Sequence, residues 1–266
     1  ITLQNCREKK GNGRLKSSAT HDPQQHLLAA GLVALGEADG CVSGAATTSA
    51  EVIRAGLQVI GPRPGNKTVS SAFILLTNTP QYGDNGILVL GDCGVIPNPT
   101  ADQLADIACI CVERARRTVQ ILNPKVAFLS YSTMGSGAGE SVENFASVEI
   151  LKERNVDFAF DGECRLTLPS FRKSANTRLR STVAGHANVL IFPNLDAANI
   201  GYKMVQRFAN ATALGPLVQG LDKPILDLSR GCSSEDVADV VADAAPMLLR
   251  LTSTKKERAE HEHDQQ

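Results

Sequence analysis

Val126–Ala–Phe–Leu–Ser130, a helical pattern over Val142–Arg154 and the apolar run Val156–Asp–Phe–Ala–Phe160 form a strand–helix–strand succession. Two strands joined through a helix need a crossover, so the sheet here is expected to be parallel and the fold α/β. Upstream, Thr100-x-x-Gln103 opens a helix whose Leu104, Ile107, Ala108, Cys111, Val112, Ala115, Val119 and Leu122 share one stripe. Arg114, Arg116 and Arg117 fall largely outside it. Before that helix, Ser71–Thr77 and Gly86–Gly91 read as the arms of a long hairpin. Gly61–Pro–Arg–Pro–Gly65 marks a hinge or domain boundary. Ahead of it come a helix over His26–Leu35, a β-like run Asp39–Ser43, and a helix opened by Thr48-x-x-Glu51 with Ile53, Leu57 and Ile60 on one face. Downstream, Cys164–Ala184 reads as a polar surface excursion. A strand over Ala187–Phe192 and a helix over Ala198–Phe208 follow. After the Gly215–Pro216 break come a strand at Pro224–Leu228 and a helix over Ser234–Leu251.

The 266 residues carry 27 basic and 28 acidic side chains, a net charge of −1, and 42% hydrophobic residues. That balance suits one large or two moderate globular domains and excludes a general nucleic-acid coat. No apolar run reaches the ~18 residues of a membrane span. The seven cysteines are odd in number and lack a Cys-x-x-Cys pair, so they read as reduced thiols, with no metal site, in a cytoplasmic protein. The polar end, residues 253–266, is expected to be a disordered tail; it holds His261 and His263, too few ligands for a stable metal site.

Three segments repeat one design, in which an apolar strand leads into small and hydroxyl residues and then a helix start. They are Val42–Ser–Gly–Ala–Ala–Thr–Thr48, Leu129–Ser–Tyr–Ser–Thr–Met–Gly–Ser–Gly137 and Leu228–Ser–Arg–Gly–Cys–Ser–Ser234. In parallel α/β folds such loops converge on a ligand crevice, and backbone N–H groups at the helix starts bind phosphate or carboxylate. A single segment of this kind is also a well-made helix cap; three together favour an anion site. Arg54 and Arg230 offer guanidinium forks suited to phosphate, or surface ion pairs. Asp236 falls in a helical first turn. It complements the helix dipole there, or accepts a proton from a ligand. A rival reading is a dinucleotide loop at Gly135–Ser–Gly–Ala–Gly139 with Asp157 as ribose acid, although Glu140 stands where the third glycine belongs.

Gly36–Glu–Ala–Asp–Gly–Cys–Val–Ser–Gly–Ala45, Leu129–Ser–Tyr–Ser–Thr133, Asp161–Gly–Glu163, Asn199–Ile–Gly–Tyr–Lys203, Gly215–Pro216 with Gln219–Gly–Leu221, and Asp227–Leu–Ser–Arg–Gly–Cys–Ser–Ser–Glu–Asp236 occur in this order. Together they resemble the phosphate acetyltransferase (phosphotransacetylase) family, within the phosphate acetyl/butyryltransferases, from about Arg7 to Leu251. The resemblance implies a two-domain αβα sandwich of the isocitrate/isopropylmalate dehydrogenase type. Domain one is then 1–65 plus 217–252, and domain two is 66–216. It also implies a homodimer and reversible acetyl transfer between acetyl phosphate and coenzyme A through a ternary complex. No cofactor or metal is bound; coenzyme A and acetyl-CoA are substrates, with phosphate. By the same resemblance Asp236 is the base for the thiol, Ser229 positions it, and Arg230 polarises the acetyl carbonyl and holds phosphate. Substrate contacts carry over to Arg54, Arg7, Ser43, Gly44, Ser132, Thr133 and Asn199. Met134 stands where the family favours lysine, removing one cationic contact. Family members begin with further β/α units ahead of the position of Arg7, so the first domain is expected to be incomplete. A butyryl-specific enzyme, or a truncated non-catalytic homologue that binds coenzyme A or acyl phosphate, is the alternative.

Overall fold

The computed structural model describes residues 24–132, 137, 139, 146–166, 182–228, 230, 232–235 and 237–242. The chain divides into two units, one of Ile1–Pro64 with Leu221–Gln266 and the other of Gly65–Gly220.

The second unit is built on a six-stranded sheet. Its strands are β2 (Ser70–Leu76), β3 (Ile87–Gly91), β4 (Lys125–Leu129), β5 (Ala159–Cys164), β6 (Val189–Ile191) and β7 (Thr212–Gln219), in the order β5-β4-β6-β3-β2-β7. β5, β4, β6 and β3 are mutually parallel; β2 is antiparallel to both β3 and β7. Side chains alternate across a strand. Ala72, Val89, Val126, Phe128, Val189 and Ile191 therefore face one way, beneath α3 (Ala101–Arg117) and α4 (Ala146–Glu153). Phe73, Leu75, Leu88, Leu90, Ala127 and Leu190 face the other way, under α5 (Leu195–Phe208). Helices on both faces explain why these strands read as continuous apolar runs. Leu151 is fully buried between α4 and the sheet, so Leu151→Ala is expected to cost about 2–5 kcal/mol, measured by denaturant unfolding.

The caps obey the sequence. Thr100 N–H donates to Gln103 Oε1 at 2.9 Å and Gln103 N–H to Thr100 Oγ1 at 3.3 Å, the reciprocal box at the start of α3. At α5 the cap is Asn194, whose Oδ1 accepts from Ala197 N–H at 2.9 Å, so that helix begins before Ala198.

Five expectations change. Leu122 is 83% exposed, because α3 stops at Arg117 with Thr118 as its C-cap and never carries the stripe that far. Arg114 is buried, donating from Nε to Gln219 Oε1 at 3.2 Å and from Nη2 to Val218 O at 3.3 Å; Gln219 Nε2 in turn donates to Ser70 Oγ at 3.0 Å. β5 begins at Ala159 rather than Val156, since its register opposes Lys125 to Ala159. β7 runs through Gly215–Pro216, which the sequence marks only as a break. It is an edge strand, where a missing N–H is tolerated. In the first unit Leu57 is exposed and the buried residues of the helix are Val52, Ile53, Ala55, Gly56 and Val59.

That first unit contains α1 (Gln24–Leu35), β1 (Cys41–Ser43), α2 (Ser49–Val59), β8 (Ile225–Asp227) and helical residues at 234–235 and 237–242. β1 and β8 pair in parallel: Cys41 with Ile225, Val42 with Leu226, Ser43 with Asp227. Gly56 lets α2 lie on Leu221 and Ile225. Lys223 Nζ donates to the carbonyls of Val33 at 2.7 Å and Ala34 at 3.1 Å, which ties the end of α1 to the approach of β8. Leu28, Leu32 and Leu35 of α1 are exposed. Among the described residues no helix is long and apolar enough to cross a membrane.

Candidate active site

In the first unit the parallel pairing of β1 and β8 sets two chain turns side by side. Both strands end at one edge, β1 passing through Gly44 into α2 and β8 leading into Leu228, ahead in sequence of the helical residues at 234–235 and 237–242. Leu228 N–H donates to Ser43 O at 2.7 Å and joins the two exits. Gly44 has φ +115°, and a β-carbon there would stand 2.2 Å from Asp227 Oδ1 and 2.8 Å from Leu228 N and O. Only glycine fits this crossing.

The side chains of that edge are arranged unequally. Ser43 Oγ lies 2.9 Å from His26 Nδ1, so α1 holds that hydroxyl. Thr47 N–H donates to Gly44 O at 3.1 Å, and Glu51 Oε2 accepts from Thr48 N–H at 3.1 Å and from Thr48 Oγ1 at 3.0 Å. These bonds use two of the N–H groups at the opening of α2 that the sequence offers to an anion. Arg54 is exposed on α2, and among the described residues it makes no hydrogen bond or ion pair. Arg230 is likewise exposed past β8. Val237 N–H donates to Ser233 O at 3.2 Å. Ser43, Gly44 and the segment carrying Arg230 thus meet at one edge. Arg7, Ser229 and Asp236 lie outside the described residues.

Asp227, which the sequence reading passes over as a site residue, sits at the last register position of β8 with 0% exposure. Neither carboxylate oxygen accepts a hydrogen bond. Burial pushes this carboxyl up to about 6; the Ser49 hydroxyl and the Leu228 amide, neither in full hydrogen-bond geometry, favour its charged form too weakly to offset that penalty. The signal was available only as an aspartate inside an apolar run.

In the second unit the parallel strands β3, β4 and β6 end along one edge, followed by Asp92, by Ser130–Ser132 and by the cap of α5. Ser132 is buried. Its Oγ accepts from Gly137 N–H at 2.8 Å and its N–H donates to Ser130 Oγ at 3.1 Å, so its hydroxyl shapes the loop from within. Arg165 Nε donates to Tyr131 O at 2.6 Å from the end of β5. Asn199 is half-buried in α5. Thr133 lies outside the described residues. Asp92 accepts from Ser71 N–H and Oγ at 2.9 and 2.8 Å, and from the N–H groups of Gly94, Val95 and Ile96 at 3.0, 3.3 and 2.7 Å. Those bonds consume its acceptor capacity in holding the loop. Gly162 of the Asp161–Gly–Glu163 motif lets β5 pass Phe128, whose Cβ would stand 2.9 Å from an added methyl group.

The dinucleotide reading loses its acid. Asp157 is held by Arg116, whose Nη1 donates to both carboxylate oxygens at 3.0 and 2.9 Å. Gly135, Ser136 and Ala138 of the loop itself lie outside the described residues. The six described cysteines are free thiols. Burial pushes Cys111 and Cys164 up to about 12, too high for either to serve as a thiolate nucleophile.

The Phosphate acetyl/butaryl transferase family profile matches residues 2–245. A phosphate acetyltransferase of Clostridium acetobutylicum is 51% identical over 209 residues, 78% of this chain and 62% of that protein. One from Treponema pallidum is 46% identical over 242 residues, 88% of this chain and 71% of that protein. The chain therefore spans about two thirds of the length of these relatives. Among solved structures, a phosphotransacetylase from Streptococcus pyogenes superposes with a TM-score of 0.77 at 37% identity, covering 85% of this chain and 67% of that one. Fold, motif order and sequence agree, and the chain belongs to the Phosphate acetyl/butaryl transferase family.

Proposed function

We propose that this chain transfers an acetyl group reversibly between acetyl phosphate and coenzyme A, both of them substrates, with no resident cofactor. The observation that carries this reading is the β1–β8 pairing, which sets the Ser43–Gly44 turn beside Asp227 and Leu228, the start of the motif that continues in sequence to Asp236. Exposed guanidinium groups at Arg54 and Arg230 suit a doubly negative acyl phosphate. Asp236 takes the proton of the coenzyme A thiol while Ser229 holds the sulfur in place. The sulfur attacks the acetyl carbonyl carbon, the bond from that carbon to the bridging oxygen breaks, and phosphate leaves with that oxygen and the bonding electron pair. Arg230 stabilises the tetrahedral oxyanion and the departing phosphate, a contribution that grows as charge develops. Arg54, Arg7, Ser43, Gly44, Thr133 and Asn199 contact the substrates; Ser132 acts by shaping its loop.

The six free thiols support a reducing, cytoplasmic location. Ile200, Met204 and Phe208 repeat along an exposed face of α5, which supports a homodimer. Acetyl is preferred over butyryl because the relatives named above are phosphate acetyltransferases. The test is an assay of thioester formation from acetyl phosphate and coenzyme A. Turnover is expected, faster with acetyl than with butyryl phosphate, and its absence in the folded chain would overturn the reading in favour of a binding protein.

A further inference from the structure

We propose that Asp227 is a positioning residue of the anion-binding edge, a buried acid that is packed beneath the Gly44 turn, supports it while neutral and opposes phosphate when it ionises. The inference rests on the acetyl-transfer reading of the same edge. Its geometric basis is independent of that reading. Asp227 is fully buried, neither oxygen accepts a hydrogen bond of full geometry, the Ser49 hydroxyl and Leu228 amide are the donors that act on it, and the Gly44 backbone is packed against Oδ1. A carboxylate in such a place lacks the compensation a buried charge requires, whereas the neutral carboxylic acid carries the much smaller penalty of an unpaired polar group.

Among the described residues, the surrounding elements bond no counter-charge to it. β1 brings Cys41, and α1 brings His26, which is engaged with Ser43 Oγ. α2 brings Glu51, turned back to Thr48, and the exposed Arg54. Before β8, Lys223 is bound to α1 carbonyls, and Asp222 N–H donates to Gly61 O. Beyond β8 stand the exposed Arg230 and Glu235. None of these groups bonds to the Asp227 carboxylate.

The folded carboxyl sits near 6, above the ~3.9 of an unfolded aspartate, so the native state holds the proton more tightly. Its contribution to stability is full below about pH 4 and is lost as pH rises through about 6. The same ionisation puts a negative charge beneath the edge that Arg54 and Arg230 make attractive to phosphate.

The test compares wild type with Asp227→Asn, which keeps the shape and cannot ionise. In acetyl-CoA phosphorolysis, the ratio of wild-type to variant KM for inorganic phosphate is expected to climb roughly 3- to 10-fold between about pH 5.5 and pH 8, with kcat changed less than about twofold. Taking the ratio cancels the ionisation of phosphate itself. In thermal unfolding between about pH 4 and pH 7, the variant is expected to gain several degrees on the wild type as pH rises. Parallel unfolding curves, a flat KM ratio in an active enzyme, or a loss confined to kcat would overturn the proposal. A wild type without turnover would sink the acetyl-transfer reading instead, and the unfolding curves would still decide whether Asp227 stays neutral.

Discussion

Asp236→Asn is expected to lower the rate of acetyl-CoA formation by roughly 10²- to 10⁴-fold, the usual contribution of a positioned base. A thiol with a reference pKa near ~8.5 is mostly protonated at neutral pH, and an aspartate near ~3.9 is a weak base for it. The transfer works only if cations stabilise the emerging thiolate, and the exposed Arg230 in the same segment can do so. Asparagine keeps the size and hydrogen-bonding ends of the side chain but cannot take the proton. KM values should therefore move little while kcat falls. The chain is helical at 234–235 and again from 237, and the folded state should survive the change, with an unfolding free energy within about 1 kcal/mol of wild type. Equal rates in variant and wild type would remove Asp236 as base. A steady-state assay across pH, paired with a denaturation curve, separates lost chemistry from lost structure.

Gly44→Ala is expected to destabilise the first unit by about 2–4 kcal/mol, because alanine at this position combines a strained positive φ with overpacking. The added carbon would fall 2.2 Å from Asp227 Oδ1 and 2.8 Å from the backbone of Leu228, and backbone yields less readily than a side chain. Relief requires the β1 exit to move away from β8, which lengthens the Leu228 N–H to Ser43 O bond and separates the two turns. Activity should fall together with stability, through both KM and kcat, unlike the selective loss at Asp236. An unchanged denaturation midpoint would mean that the Gly44 crossing is looser than its geometry indicates. Gly36 also has a positive φ, yet nothing stands within 4 Å of a β-carbon built there, so it serves as a control for the cost of φ alone.

Local chemistry wrote much of this fold into the chain. Thr100 and Gln103 cap α3 as their spacing requires, because a capping box needs only neighbours three residues apart. The hairpin arms Ser70–Leu76 and Ile87–Gly91 were legible from their apolar runs and the polar Asn- and Gly-bearing connection. The motif ending in Asp236 identified the family because its residue types and order are too specific to arise from packing rules. β7 was hidden because Pro216 and Gly215 look like punctuation until the strand is seen to run along an edge. Arg114 was hidden because a helix surface does not reveal that Gln219 will arrive to receive its guanidinium.

The sequence by itself determined the α/β class, most of the helices and strands, the family and the chemical types of the candidate site residues. Each of those rests on period, capping or motif, which act over a few positions. Only tertiary structure decided that Ser43 would stand beside Asp227, that Ser132 would turn its hydroxyl inward, and that a carboxyl would be sealed beneath Gly44 without a partner. Those outcomes depend on strand register between distant segments and on what surrounds a group once water is excluded, and neither quantity exists until the chain has folded.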